Sequence, residues 1–92
     1  MKIKLNDNQE LVVSSINRML EKSNNKESIS LIFPEEYKLE DISTTVTSEN
    51  CSQITVIRDD KDNIVFSGFD VATISETIID TTTTVMANLS KG

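Results

Sequence analysis

Histidine and tryptophan are absent from this 92-residue chain, alanine and glycine occur twice each, and proline and cysteine once. Each shortage closes off some chemistry. Without histidine the commonest general base and metal ligand is missing. With Cys51 alone, no intrachain disulfide forms, and neither a thiolate cluster nor a Cys–His pair can be assembled. The expectation for Cys51 is a buried thiol acting as a small apolar side chain. With Gly68 and Gly92 the only glycines, no glycine-rich phosphate cradle can be built. The longest uninterrupted apolar runs are three residues, such as Leu31-Ile32-Phe33. A bilayer-spanning helix needs about 20. The aromatics Phe33, Tyr37, Phe66 and Phe69 are too few, among scattered Lys and Arg, for a base-stacking platform. The three phenylalanines read as core.

What the chain does contain is branched. Isoleucine appears eleven times and threonine ten. Such side chains lose χ1 freedom in a helix but pack well on a pleated surface, so the composition asks for sheet. The length allows one domain spanning residues 1–92, with a modest stability margin that domains of this size often reinforce by oligomerising. The formal charge is −6, and a surface of that sign repels phosphate backbones and anionic lipid heads. No nucleic acid and no membrane are therefore expected as partners. Acidity can also let a small protein occupy a basic groove on another protein, which is a second way to use this charge.

Read along the chain, Lys2-Ile3-Lys4-Leu5 alternates charged and apolar, as a half-buried strand does. Asn6-Asp7-Asn8 is suited to a hairpin turn. Residues 10–20 admit two readings. Leu11, Val12, Val13 and Ile16 favour strand, whereas Leu11, Ile16, Met19 and Leu20 can gather on one side of a helix. The branched run and Ser14-Ser15 tip the balance to a strand bulged near those serines. Glu21 to Glu27 reads as a loop. Ser28 to Phe33 reads as a strand with Ile29, Leu31 and Phe33 on one face, ended by Pro34. Leu39, Ile42 and Val46 then form a short helical stripe near residues 39–47, with Glu40 and Asp41 suited to the positive end of the helix dipole. Gln53–Arg58 and Ile64–Ser67 read as two strands joined by the acidic turn 59–63. Gly68 allows a bulge or bend. Val71–Ile79 reads as a strand or irregular edge, and Thr81–Ser90 as a closing strand. The fold class expected is α+β, mainly antiparallel β: a five- to seven-strand sheet folded as a small sandwich or partly open barrel with one short helix.

Candidate chemistry is thin. Asp59, Asp60, Asp62 and Asn63 resemble a calcium loop superficially, but from Asp60 the fifth and sixth positions fall on Ile64 and Val65, where a ligand and a glycine are required. A solvated turn explains them. Glu35-Glu36 and Glu40-Asp41 are neighbouring carboxylates, yet acid–base work needs a concave site that separates their pKa values. Asn50-Cys51-Ser52 and Asn88-Leu89-Ser90 match the glycosylation pattern, but no apolar leader segment follows Met1-Lys2-Ile3-Lys4-Leu5. No residue is assigned to catalysis, to a cofactor or to a metal, and the chain is not expected to be an enzyme. The Val71–Leu89 region, with few edge-blocking lysines after Lys61, is the expected strand-mediated subunit contact.

The segment Ile32–Ser75 carries Leu39-Glu40-Asp41-Ile42, then Glu49-Asn50-Cys51-Ser52-Gln53-Ile54, an acidic hairpin and Gly68-Phe69. With the Met-Lys-Ile start, it resembles small proteins encoded in the tail or virion gene modules of phages and prophages of Gram-positive bacteria. Lys38 departs from the Ser or Asp that such a helix prefers as its cap. The resemblance covers about half the chain and transfers no functional residue. It implies a non-catalytic structural or interaction protein, with copies of itself (a homo-oligomer) or other virion subunits as partners, made in the host cytoplasm and destined for a virion. The alternative is a small acidic inhibitor of a basic host or defence protein, for which Asp59, Asp60, Asp62 and other carboxylates should cluster in one patch.

Overall fold

In the computed structural model, which describes residues 1–6 and 8–91, the expected alternation appears at once. Strand β1 (Lys2–Lys4) pairs antiparallel with β2 (Glu10–Val12), setting Ile3 opposite Leu11. The connection begins where the Leu5 N–H donates to the Gln9 carbonyl. Asp7, part of the expected turn, lies outside the described residues.

The ambiguous stretch 10–20 is strand, but it is two strands in two sheets. Leu11 and Val13 are buried on odd positions, whereas the next core-facing residue is Ile16, on an even one. A period-two element cannot change phase without a break. The break falls at Val13–Ser14, next to the serines that suggested a bulge, and the chain crosses there into β3 (Ser15–Glu21). β3 forms a seven-residue ladder with β4 (Lys26–Ile32), pairing Glu21 with Lys26. The segment Glu21–Glu27 is therefore mostly strand and not loop. Its turn is only residues 22–25, closed by Asn25 at φ 55° and by the Asn24 side chain accepting the Lys26 N–H.

Pro34 ends the run as expected, and α1 (Leu39–Thr45) follows. Lys38 offers its helix no side-chain cap, and Glu40 and Asp41 occupy the first turn. A helix of two turns is not stable from propensity alone, so packing must hold it. Ile42 and Val46 are buried and Leu39 packs against the core, which is the predicted stripe. Asn50 donates to the Thr45 carbonyl and so satisfies the helix end.

β5 (Gln53–Ile57) pairs with β1 and with β6 (Ile64–Ser67), completing a sheet of order β2-β1-β5-β6. At Gly68, φ 79°, the chain turns out of that sheet into β7 (Asp70–Ile79), which returns as β8 (Thr82–Lys91). The second sheet has the order β3-β4-β8-β7. Sheet-switching corners of this kind need a bend or bulge, and a left-handed glycine supplies one. Each edge strand of one sheet thus continues through a corner into an edge strand of the other: β2 into β3, and β6 into β7. Among the described residues there are eight strands where five to seven were expected, because the corner at Ser14 divides one of them. Thr81–Ser90 does not close the sheet either. β8 lies between β4 and β7, and β7 is the edge.

Ile3, Leu11, Ile54 and Val56 from the first sheet and Ile29, Leu31, Val85, Ala87 and Leu89 from the second meet in one core. Phe33, Ile42, Val46, Cys51 and Phe69 complete it. The result, among the described residues, is an antiparallel β sandwich with a single helix and not a closed barrel. Every fully buried residue among those described is apolar. Cys51, 0% exposed, is the small buried thiol that was expected. Phe33 and Phe69 are buried, while Phe66 is only partly so.

The β7–β8 turn carries a cost that is visible in its backbone. Asp80 and Thr81 occupy it at φ 48° and 65°. A two-residue turn of this hand favours Asn-Gly, and a β-branched residue there is strained. Thr81→Gly is expected to stabilise the domain by about 1 kcal/mol, net of the entropy glycine adds to the unfolded chain. For a domain of this size that raises the melting temperature by roughly 4–8 °C. A calorimetric scan showing no rise would mean that the turn relaxes at no cost.

Candidate functional site

The residues singled out for chemistry do not converge. Asp59, Asp60 and Asp62 are exposed on the β5–β6 turn, where Arg58 Nε and Nη2 donate to the Asp62 carbonyl at 3.2 and 2.6 Å. Glu35, Glu36, Glu40 and Asp41 are exposed around Pro34 and the start of α1. Among the described residues no group of three or more Cys, Asp or Glu side chains is placed to hold a metal ion. No helix among them is long and apolar enough to cross a membrane.

Edges and hollows are what the fold presents. β2 is three residues long, and the Tyr37 hydroxyl accepts its Val12 N–H at 3.0 Å, which blunts that edge. Tyr37 is held by an edge-to-face contact with Phe33, centroids 5.8 Å apart. β7 is different: ten residues long, with its first free N–H, that of Val71, taken by the Ser48 hydroxyl. Only this half of the expected Val71–Leu89 contact is a sheet edge.

β7 and β8 also overhang their sheet. β4 ends opposite Met86, so the ribbon from Glu76 to Thr84 extends past it and turns at Asp80–Thr81. At its end Ile78 and Ile79 are 73% and 41% exposed. A hollow on one side of the ribbon is lined by Glu35, Glu40 and Glu76, and one on the other by Glu35, Glu36 and Asp80. Lys38 is the one cation lining either. The ribbon thus carries one exposed isoleucine on each face beside the polar Asp80-Thr81 turn, among carboxylates.

The opposite character appears between the sheets, where β3 faces β5 and β6. Two adjoining hollows of about 290 and 320 Å³ share Arg18, Ile64 and Phe66. Ile16, Val56 and Arg58 line the first, and Glu27, Phe69 and Lys91 the second. Both arginines of the chain therefore stand in one apolar groove, on a protein of net charge −6. Arg18 pairs with Glu27, and Lys91 Nζ lies 5.7 Å from the centroid of the Phe69 ring. Phe69 meets Phe66 edge to face.

Sequence reading missed this groove, although a signal was present. Arg58 continues the core-facing alternation of Ile54 and Val56, and Arg18 follows Ile16 at the same spacing. A cation on the inward parity of a strand marks an edge or an opening in the core.

Searches of protein-family models, curated proteins and solved structures find no match to this chain.

Proposed function

We propose that this chain is a non-catalytic structural or interaction protein of a phage or prophage, working by assembly with copies of itself or with other virion subunits. The observation that carries the reading is the overhanging β7–β8 ribbon. It places two isoleucines in solvent at the end of β7, the longest edge strand among the described residues, beyond the part that Ser48 and α1 cover. Exposed apolar side chains on an open strand edge are a template for contact with another protein. The resemblance of Ile32–Ser75 to virion-module proteins supports the phage setting. Light scattering on the purified chain is expected to give a mass above that of the monomer, rising with concentration. A strictly monomeric species at the highest concentration reached would remove self-assembly. Heteromeric assembly is tested separately, by capture of virion subunits from phage-producing cells.

The inhibitor reading retains one specific support, the carboxylates grouped around the ribbon. They are not Asp59, Asp60 and Asp62, which stand on a different turn. On this reading the partner is a basic protein, and complex formation weakens steeply with added salt.

A further inference from the structure

We propose that copies of this chain join head to tail, the β7–β8 tip of one seating in the groove between β3 and β5–β6 of the next. The inference rests on the assembly reading and specifies its interface. The two surfaces complement each other in both respects that matter. The tip offers Ile78 and Ile79, and the groove offers the apolar walls of Ile64 and Phe66. The tip is bordered by Glu76 and Asp80. The groove holds Arg18, whose Nε is paired with the groove's own Glu27, and Arg58, whose Nε and Nη2 donate to the Asp62 carbonyl. A partner carboxylate is therefore met by the outer guanidinium N–H groups. Arginine is the cation best suited to a carboxylate in a partly dry setting, because its planar fork can donate two parallel hydrogen bonds.

One copy cannot make this contact with itself. Arg18 lies opposite Ile29, which lies opposite Leu89, whereas Ile79 lies opposite Thr82. Those β8 positions are seven residues apart, about 23 Å at the usual strand rise, and β3 and β7 are opposite edges of the sheet. Two tips meeting each other would oppose carboxylate to carboxylate. The contact is therefore heterologous, and repetition builds a closed ring or an open filament instead of a two-fold dimer. Asp59 and Asp60 on the turn beyond Arg58 oppose long-range attraction, so short-range fit must supply most of the binding.

Sedimentation of the full chain and of two variant classes tests this. Ile78→Ser/Ile79→Ser removes the tip's apolar surface, and Arg18→Gln/Arg58→Gln removes the groove's cations. Ile64→Ser, at an exposed position outside the ion pair, is a second groove variant for use if the arginine variant loses its circular-dichroism signature. Wild type is expected to form species larger than a dimer, and each variant alone to associate roughly tenfold more weakly or worse. An equimolar mixture of a tip variant and a groove variant should recover a dimer and stop there, because the pair retains one sound tip and one sound groove. Failure of the mixture to recover association overturns the proposal. Wild-type-like assembly by both variant classes also overturns it while leaving self-assembly standing, and a monomeric wild type removes both.

Discussion

Phe33→Ala is expected to destabilise the domain by about 3–5 kcal/mol, the usual cost of emptying a buried phenylalanine site. A chain of this length has roughly 5–14 kcal/mol in all, so the variant stands near the edge of folding. Phe33 is 0% exposed and closes the core at the point where β4 gives way to the helical segment. Its N–H donates to Val85 at 3.0 Å, and its ring meets Tyr37, whose hydroxyl in turn holds the edge of β2. Removing the ring therefore leaves a cavity and also frees the residue that fastens the 34–47 segment to the first sheet. Urea unfolding should show a lower midpoint with little change in slope. Tyr37 is the only tyrosine in a chain without tryptophan, so its fluorescence reports the loosening directly. A loss below about 1 kcal/mol would mean that the neighbouring side chains collapse into the space.

Ala87→Leu is the second large effect, expected to cost about 1–3 kcal/mol or more by overpacking. Ala87 is wholly buried in β8, directly between Leu31 on β4 and Ile74 on β7. Two large neighbours facing the other sheet leave room for a methyl group and nothing bigger, the large–small alternation that close-packed layers require. The chain's other alanine is a built-in control. Ala72 is exposed at the bulge between Val71 and Thr73, and Ala72→Leu should change stability by less than about 0.5 kcal/mol. Thermal or chemical denaturation of the two variants side by side gives the comparison. Similar losses for both would show that Ala87 sits in a looser layer than its burial indicates.

Much of this architecture was legible in the residues. Ile29, Leu31 and Phe33 alternate and all three are buried; Leu39, Ile42 and Val46 form the helical stripe that docks; the acidic turn joins β5 to β6. These are local patterns, set by side-chain periodicity and turn chemistry over a few residues. The break between Val71–Ile79 and Thr81–Ser90 was legible to within a residue. The left-handed geometry of the turn was not, because Asp80-Thr81 lacks the glycine that normally announces such a hairpin and is held by the ladder on either side. The groove escaped for a related reason. Arg18 and Arg58 are 40 positions apart in sequence, and only the facing of two sheets brings them together.

By itself, then, the sequence determined that this chain is sheet with one short helix, which faces of its strands are apolar, and that it has no histidine for a nucleophile–base pair and too few glycines for a phosphate loop. Those are properties of single side chains and their spacing. Tertiary structure alone decided that one strand breaks at Ser14 to serve two sheets, that β8 is interior and β7 an edge, that Glu35, Glu40, Glu76 and Asp80 gather around the ribbon, and that both arginines stand in one groove. Such outcomes depend on which distant strands pair, and pairing is settled by burying both apolar faces together, a requirement on the whole chain that no short window contains.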